Sequence, residues 1–243
     1  MIASLRTRTR KILASFLLLT SEALLSLSLF IIAVVVFFVV AKYVFWDQKA
    51  EFDQHAFRFF ESFISDSNNS LMAFFTIFGN YQFLITANLL VIFYFLFIRK
   101  HRWYSIKIPA VALGSVSIMF LLKLWFSRPR PLTPLLGPAL GYSFPSGHAM
   151  SSVTFFGLLI YFIWKRTDLN LHLRYVIISL LILLICIIGI SRIYLRVHYA
   201  SDVIAGFCVG VIWLVISINL LDQIERRNKN RLRQLVEDKP LEK

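Results

Sequence analysis

Residues 23–41, ALLSLSLFIIAVVVFFVVA, run for nineteen residues without a charge. A run of that length matches the thickness of bilayer hydrocarbon, whereas apolar stretches of ten to fourteen residues belong to buried core helices. Five more apolar segments follow, at about 71–98, 106–126, 149–164, 175–190 and 203–221. In lipid every backbone N–H and C=O must be satisfied within its own segment, so each crossing is expected to be a helix. The second segment is too long for one straight crossing and carries Gly79, Asn80 and Gln82. A surface helix is therefore expected before the span proper. These patterns define an all-α integral membrane protein with six transmembrane helices.

Composition agrees, with 58% hydrophobic and 16% charged residues, the charges gathered between the apolar runs. A net charge of +13 could suggest nucleic acid, but a nucleic-acid domain does not also carry nineteen-residue apolar stretches, which excludes that partner. Cys186 and Cys208 each lie inside an apolar run, where a thiol behaves as a small hydrophobe, and give no information about redox compartment. Arg6, Arg8, Arg10 and Lys11 precede the first run as in a signal peptide, and a weak small-residue cleavage site exists at residues 39–41. The length of the run favours a retained span.

Assigning loops alternately to two sides groups four cations of the N-terminus, four at 99–107, three at 165–174 and seven in the C-terminal tail, 18 of the 26 Lys and Arg. The positive-inside rule then makes both termini cytoplasmic, with residues 1–22 and the basic tail 222–243 on that side. Between the first two spans, Phe45, Phe52, Phe59 and Phe63 recur at near-helical spacing among Asp47, Lys49, Glu51, Asp53, Arg58 and Glu61. This is expected to be an amphipathic helix on the outer face, either lying on the membrane or packed as a cap over the spans. Residues 127–145 hold five of the seven prolines, Pro129, Pro131, Pro134, Pro138 and Pro145, and read as a long outer loop.

Nearly every charge at membrane depth falls in three stretches, residues 123–131, 142–148 and 191–202, all at that outer face. Lys123 lies inside an apolar run, which makes it a functional candidate unless it only snorkels to water. In Phe144-Pro145-Ser146-Gly147-His148 a proline ends the loop, Ser146 is a good N-cap, and Gly147 lets an oxyanion approach the first free backbone N–H groups. Such a helix start is an anion site. His198 and Asp202 are four apart at the entry of the last span, so a helix stacks them on one face. The carboxylate can hold the Nδ1–H and leave Nε2 free and basic, as nucleophilic attack by the ring requires. Arg192 adds a planar fork suited to phosphate oxygens. His148, His198 and Asp202 could instead form a two-histidine, one-carboxylate metal site, but Lys123, Arg130 and Arg192 would repel a divalent cation and attract an anion. No metal and no other cofactor is expected.

These residues resemble the type 2 phosphatidic acid phosphatase superfamily of membrane phosphatases, which shares its site with vanadium haloperoxidases. The family's first motif, lysine, six residues, then arginine and proline, appears as Lys123 followed by Arg130-Pro131. The second is Pro145-Ser146-Gly147-His148, and the third is Ser191-Arg192, then His198 and Asp202. All three match without a substitution and in order. The resemblance implies a phosphatidic acid phosphatase/haloperoxidase-like helical bundle. It implies that His198 is the nucleophile forming a phosphohistidine, Asp202 its orienting partner, and His148 the acid for the leaving alcohol and then the base for water. Lys123, Arg130, Ser146, Gly147 and Arg192 would cradle the phosphoryl oxygens. Arg128 and Arg196 lie outside the motifs and are read as rim charges within reach of a headgroup.

The expected activity is metal-independent hydrolysis of a membrane lipid phosphate or pyrophosphate at the outer face of the cell (inner) membrane, with no obligatory protein partner. Undecaprenyl pyrophosphate, phosphatidylglycerol phosphate, phosphatidic acid and lipid A phosphates all present a terminal phosphate at that depth. Transfer to an acceptor other than water is the alternative. A transporter would spread polar residues through the spans, and here they cluster at one end.

Overall fold

The computed structural model describes residues 21–137, 139–166 and 169–237. Arg6, Arg8, Arg10 and Lys11, Pro138 and residues 238–243 lie outside the described residues. The architecture is entirely helical among those residues: α1 (Ser21–Ala41), α2 (Glu51–Glu61), α3 (Asp66–Ile77), α4 (Tyr81–Phe93), α5 (Arg102–Phe126), α6 (Gly147–Trp164), α7 (Leu171–Tyr194) and α8 (Ala200–Glu237). Turns of π-helix, Lys42–Trp46 and Tyr94–Ile98, extend α1 and α4. Six helices are long and apolar enough to cross a membrane, α1 and α4 to α8. Their outward faces carry bare Leu, Val and Phe side chains, as a lipid solvent permits.

α6 is the hub. Half of its most apolar window is buried, against 6% for α1 and for α4, and it packs against α4, α5, α7 and α8. Close approach of α8 comes from two glycines four residues apart. A Cβ at Gly206 would lie 2.6 Å from the Ser146 carbonyl oxygen, and one at Gly210 would lie 2.8 Å from Val153 Cβ. Small residues at this spacing let two helix backbones meet inside a membrane. The consequence for the site is direct, because the Ser146 N–H donates to the Asp202 carbonyl at 2.9 Å.

Local chemistry sets the boundaries near the site. α5 stops at Ser127, whose left-handed φ of 44° turns the chain, and Pro129 and Pro131 prevent resumption of the helix. The long apolar run does split as expected: the chain breaks at residues 78–80, making α3 a short helix ahead of the spanning α4. Residues 39–41 are continuous helix, with Ala41 buried against Phe144 and Ala205.

Two expectations are corrected. Phe45 belongs not to the amphipathic helix but to the end of the first span, where it stacks on Phe126 at 4.6 Å. Lys107 is not a loop cation; it sits within α5, 1% exposed, paired with Asp222 at 2.5 Å and Glu225 at 2.8 Å. Burial of an ammonium is tolerated only with such partners. The last helix runs past residue 221 through the first part of the basic tail, to Glu237. The Lys107 pairing holds that extension against α5 at the end of the bundle opposite the site.

Candidate active site

Antiparallel packing brings the C-terminal ends of α5 and α7 and the N-terminal ends of α6 and α8 to one end of the bundle. All three sequence motifs meet there. At the centre is His198, 2% exposed, on the five-residue connection between α7 and α8. Its backbone N–H donates to the Arg192 carbonyl at 3.2 Å. Its Nδ1 lies 3.5 Å from Asp202 Oδ2 and 3.3 Å from Ser143 Oγ, and that hydroxyl donates to the same Asp202 oxygen. On the other side of the ring, Nε2 lies 3.3 Å from Arg130 Nη1. Both neighbours of Nδ1 can accept a proton, whereas the Arg130 nitrogen is an obligate donor. The neutral ring is therefore assigned the Nδ1–H tautomer, with the Nε2 lone pair directed at the cationic pocket.

Burial pushes the His198 pKa down to about 4; the Asp202 charge opposes that shift, and Arg130 and Lys123 reinforce it. The ring is thus neutral across the physiological range. Arg130 is also lowered by burial, partly offset by Asp202. Its Nε donates to the Gly141 carbonyl at 3.0 Å and its Nη1 to the Val197 carbonyl at 2.9 Å. Lys123 donates to the Tyr142 carbonyl at 2.5 Å. Arg192 donates from Nη1 to Thr76 Oγ1 at 2.6 Å, while its buried Nε has no partner among the described residues.

Ser146 departs from expectation. It occupies the N-cap position of α6 but its hydroxyl makes no capping bond; Oγ is buried and unpartnered among the described residues. A buried orphan hydroxyl is costly, and with Arg192 Nε it supplies two unused donors at this end of the bundle. Gly147 has a packing reason for its identity as well, since a Cβ there would lie 2.6 Å from Met119 Sδ.

The structure adds residues that the sequence reading missed. Asn80, at the start of α4, accepts through Oδ1 from His148 Nε2 at 2.7 Å, so Nε2 carries hydrogen. Ser143 and Thr76 join the site from the proline loop and from α3. Arg128 is not a rim charge. It is 12% exposed and bridges Asp202 at 2.6 Å and Asp53 at 2.8 Å. Burial alone would lower its pKa; Asp202 and Asp53 outweigh that and raise it. Arg196 does sit at the rim, 3.7 Å from Glu61 and over the Phe57 ring. α2 is amphipathic as expected, yet Asp53 faces inward, 1% exposed, while Phe52 and Phe59 point outward at 47% and 63%. The helix therefore presents an apolar surface outward and caps the site at once.

One turn inward from His148, an apolar cavity of about 470 Å³ opens between α4 and α5 with α6 as its floor. Leu84, Ile85 and Leu89 line one wall and Ile108 and Val111 the other, with Tyr81 and Ser151 among the residues toward the site end.

A profile of the PAP2 superfamily matches residues 103–226, just over half of the 243 residues. Phosphatidylglycerophosphatase B of Bacillus subtilis is 34% identical over 108 residues, 44% of this chain and 52% of that protein, so the match spans about half of that relative. The crystal structure of the first transmembrane PAP2-type phosphatidylglycerolphosphate phosphatase from Bacillus subtilis superposes with TM-score 0.69 at 24% identity, covering 82% of this chain and 96% of that one, and shows the shared fold. Aquifex aeolicus LpxE superposes with TM-score 0.55 at 26% identity over 68% of this chain and 94% of its own. Every motif residue from Lys123 to Asp202 lies inside the segment matched by the family profile, and that segment forms the site end of a six-span bundle; the chain is a multi-pass membrane member of the PAP2 superfamily.

Proposed function

We propose that the protein hydrolyses a lipid phosphate or lipid pyrophosphate through a phosphohistidine on His198. The observation that carries this reading is the convergence of a buried, neutral His198 with Lys123, Arg130 and Arg192, beside the unpartnered Ser146 hydroxyl and Arg192 Nε. A neutral imidazole surrounded by cations is a nucleophile prepared for a multiply charged anion. In the first step Nε2 forms a bond to phosphorus as the bond to the leaving oxygen breaks, and His148 gives that oxygen a proton. In the second, water attacks phosphorus, His148 takes its proton, and the phosphorus–nitrogen bond breaks. Asn80 holds His148 Nε2, so the exchanged proton resides on Nδ1. Lys123, Arg130, Ser146, Gly147 and Arg192 hold the phosphoryl oxygens, with no metal, because their charge opposes a cation.

The cavity between α4 and α5 supports a lipid rather than a soluble substrate, since it is an apolar slot bounded by spanning helices and its Ser151 end lies one helical turn from His148. The relatives point the same way, being named as phosphatases of phosphatidylglycerophosphate and of other lipid phosphates. We read the whole chain as one phosphatase unit with both termini in the cytoplasm and the site outside. The test is phosphate release in detergent from phosphatidylglycerol phosphate, phosphatidic acid, undecaprenyl pyrophosphate and lipid A phosphate, with EDTA and with vanadate. Release by at least one lipid, unaffected by EDTA, inhibited by vanadate and accompanied by acid-labile label on His198, is expected. Full turnover by His198→Ala overturns the assignment.

A further inference from the structure

Asp53 stands outside all three motifs, on the surface helix α2, and is among the most buried charged side chains described. Its Oδ1 accepts from the Ser201 backbone N–H at 2.8 Å, which caps the start of α8 from a helix 148 positions away. Its Oδ2 accepts from Ser201 Oγ at 2.7 Å and from Arg128 Nη2 at 2.8 Å. The other guanidinium nitrogen of Arg128 reaches Ser201 Oγ at 2.8 Å and Asp202 Oδ1 at 2.6 Å, and the guanidinium lies over the Tyr199 ring at 4.0 Å. Arg128 is thus shared by two carboxylates, one of which also faces His198.

Asp53, Arg128 and Asp202 together carry one net negative charge, next to a ring that becomes cationic as Nε2 bonds to phosphorus. Without Asp53, the Arg128–Asp202 pair is neutral. The developing cation would then face Lys123, Arg130 and Arg192 with no net negative charge behind it. Low local dielectric makes such a difference large.

We propose that Asp53 is a positioning residue for the reaction: by sharing Arg128 it leaves Asp202 with the negative charge that supports His198 during attack. It touches neither substrate nor reacting atoms. The inference rests on the phosphohistidine reading and deepens it.

The experiment is a double-mutant cycle on the full chain in detergent, with Asp53→Asn, Arg128→Gln and the pair, measured for kcat and KM on the most active lipid phosphate and for vanadate inhibition. Asp53→Asn is expected to lower kcat about 10- to 100-fold, the size usual when a group orienting a reacting ligand is lost, with KM within about threefold and the vanadate constant raised in step with the loss of kcat. Because Asp53 acts through Arg128, adding Asp53→Asn to Arg128→Gln should change kcat by less than about threefold. A structural role predicts the same loss in both backgrounds, and that result overturns the proposal, as does an undiminished kcat in Asp53→Asn. If Asp53→Asn alone does not yield a monodisperse protein, comparison of Arg128→Gln with the double variant, neither of which leaves the arginine cation unpaired, decides by the same criterion. Wild-type protein that releases phosphate from no lipid would count against the phosphatase reading itself; the outcomes above are read where the wild type turns over.

Discussion

Replacing Gly206 with alanine tests how tightly the start of α6 must sit against the start of α8. The added Cβ would lie 2.6 Å from the Ser146 carbonyl oxygen, 3.0 Å from Ala149 Cβ and 3.3 Å from Met150 N. Ordinary contact begins at 3.4 Å, so the helices must part by about 0.8 Å, and the obstruction is backbone that no rotamer change can clear. That displacement would stretch the Ser146 N–H bond to Asp202 from 2.9 Å to roughly 3.7 Å, beyond hydrogen-bonding distance. Overpacking of this kind costs about 1–3 kcal/mol of stability. Misplacement of catalytic groups by about 1 Å costs up to 10²-fold in rate, so Gly206→Ala should slow phosphoenzyme formation about 10- to 100-fold. Gly210→Ala meets Val153 Cβ at 2.8 Å and the Met150 carbonyl at 3.0 Å, one turn deeper. It should lose similar stability with a smaller loss of rate. Rapid-quench labelling and thermal unfolding in detergent measure the two quantities separately. Wild-type rates in Gly206→Ala, or an equal rate loss in Gly210→Ala, would refute the reasoning.

Asn80→Leu removes the oxygen that holds His148 Nε2 at 2.7 Å, and should impair the first step on lipid monoesters more than on p-nitrophenyl phosphate, whose leaving group needs less protonation. Equal losses on both would assign Asn80 a packing role. The His198 pKa lies below its unfolded value of 6.5, at about 4, so the unfolded chain takes up the proton first. Stability is therefore full above pH 6.5 and should fall by about 3 kcal/mol as pH approaches 4. The melting temperature of His198→Gln should depend less on pH over that window than that of the wild type; an identical slope would contradict the assignment. Lys107→Met leaves Asp222 with only the Tyr161 hydroxyl and Glu225 with only Lys229 among the described residues, and should cost about 1–3 kcal/mol of stability with kcat and KM within about threefold, since the cluster lies at the far end of the bundle. Cysteines at Leu135 and Gln234 should react oppositely with an impermeant thiol reagent in intact cells, residue 135 from outside and residue 234 only after permeabilisation. Labelling of 234 alone would invert the topology.

The spans were legible because bilayer thickness imposes a minimum length of apolar residues, and chain direction then alternates by necessity. Once the spans are placed, motifs at the end of α5, the start of α6, the end of α7 and the start of α8 must share one end of the molecule. That much follows from residues 23–221 alone. What remained hidden was pairing between distant residues. Periodicity places Asp53 on a face of α2 with Phe57 and Phe60, about 100° around the helix from Phe52 and Phe59, and a carboxylate on a second aromatic face was a readable hint of burial. It does not name Ser201 and Arg128 as the partners. Arg128 reads as a surface cation for the same reason: only the folded bundle brings two carboxylates to it and excludes water. The spacing of Gly206 and Gly210 was visible too, but which backbone they admit depends on how α8 crosses α6. The Ser146 hydroxyl makes the same point, since its sequence context signals a cap and its buried position leaves it without a partner. Segment length and helical period are local properties that a sequence carries, whereas desolvation and charge pairing are properties of neighbours, which only tertiary packing supplies.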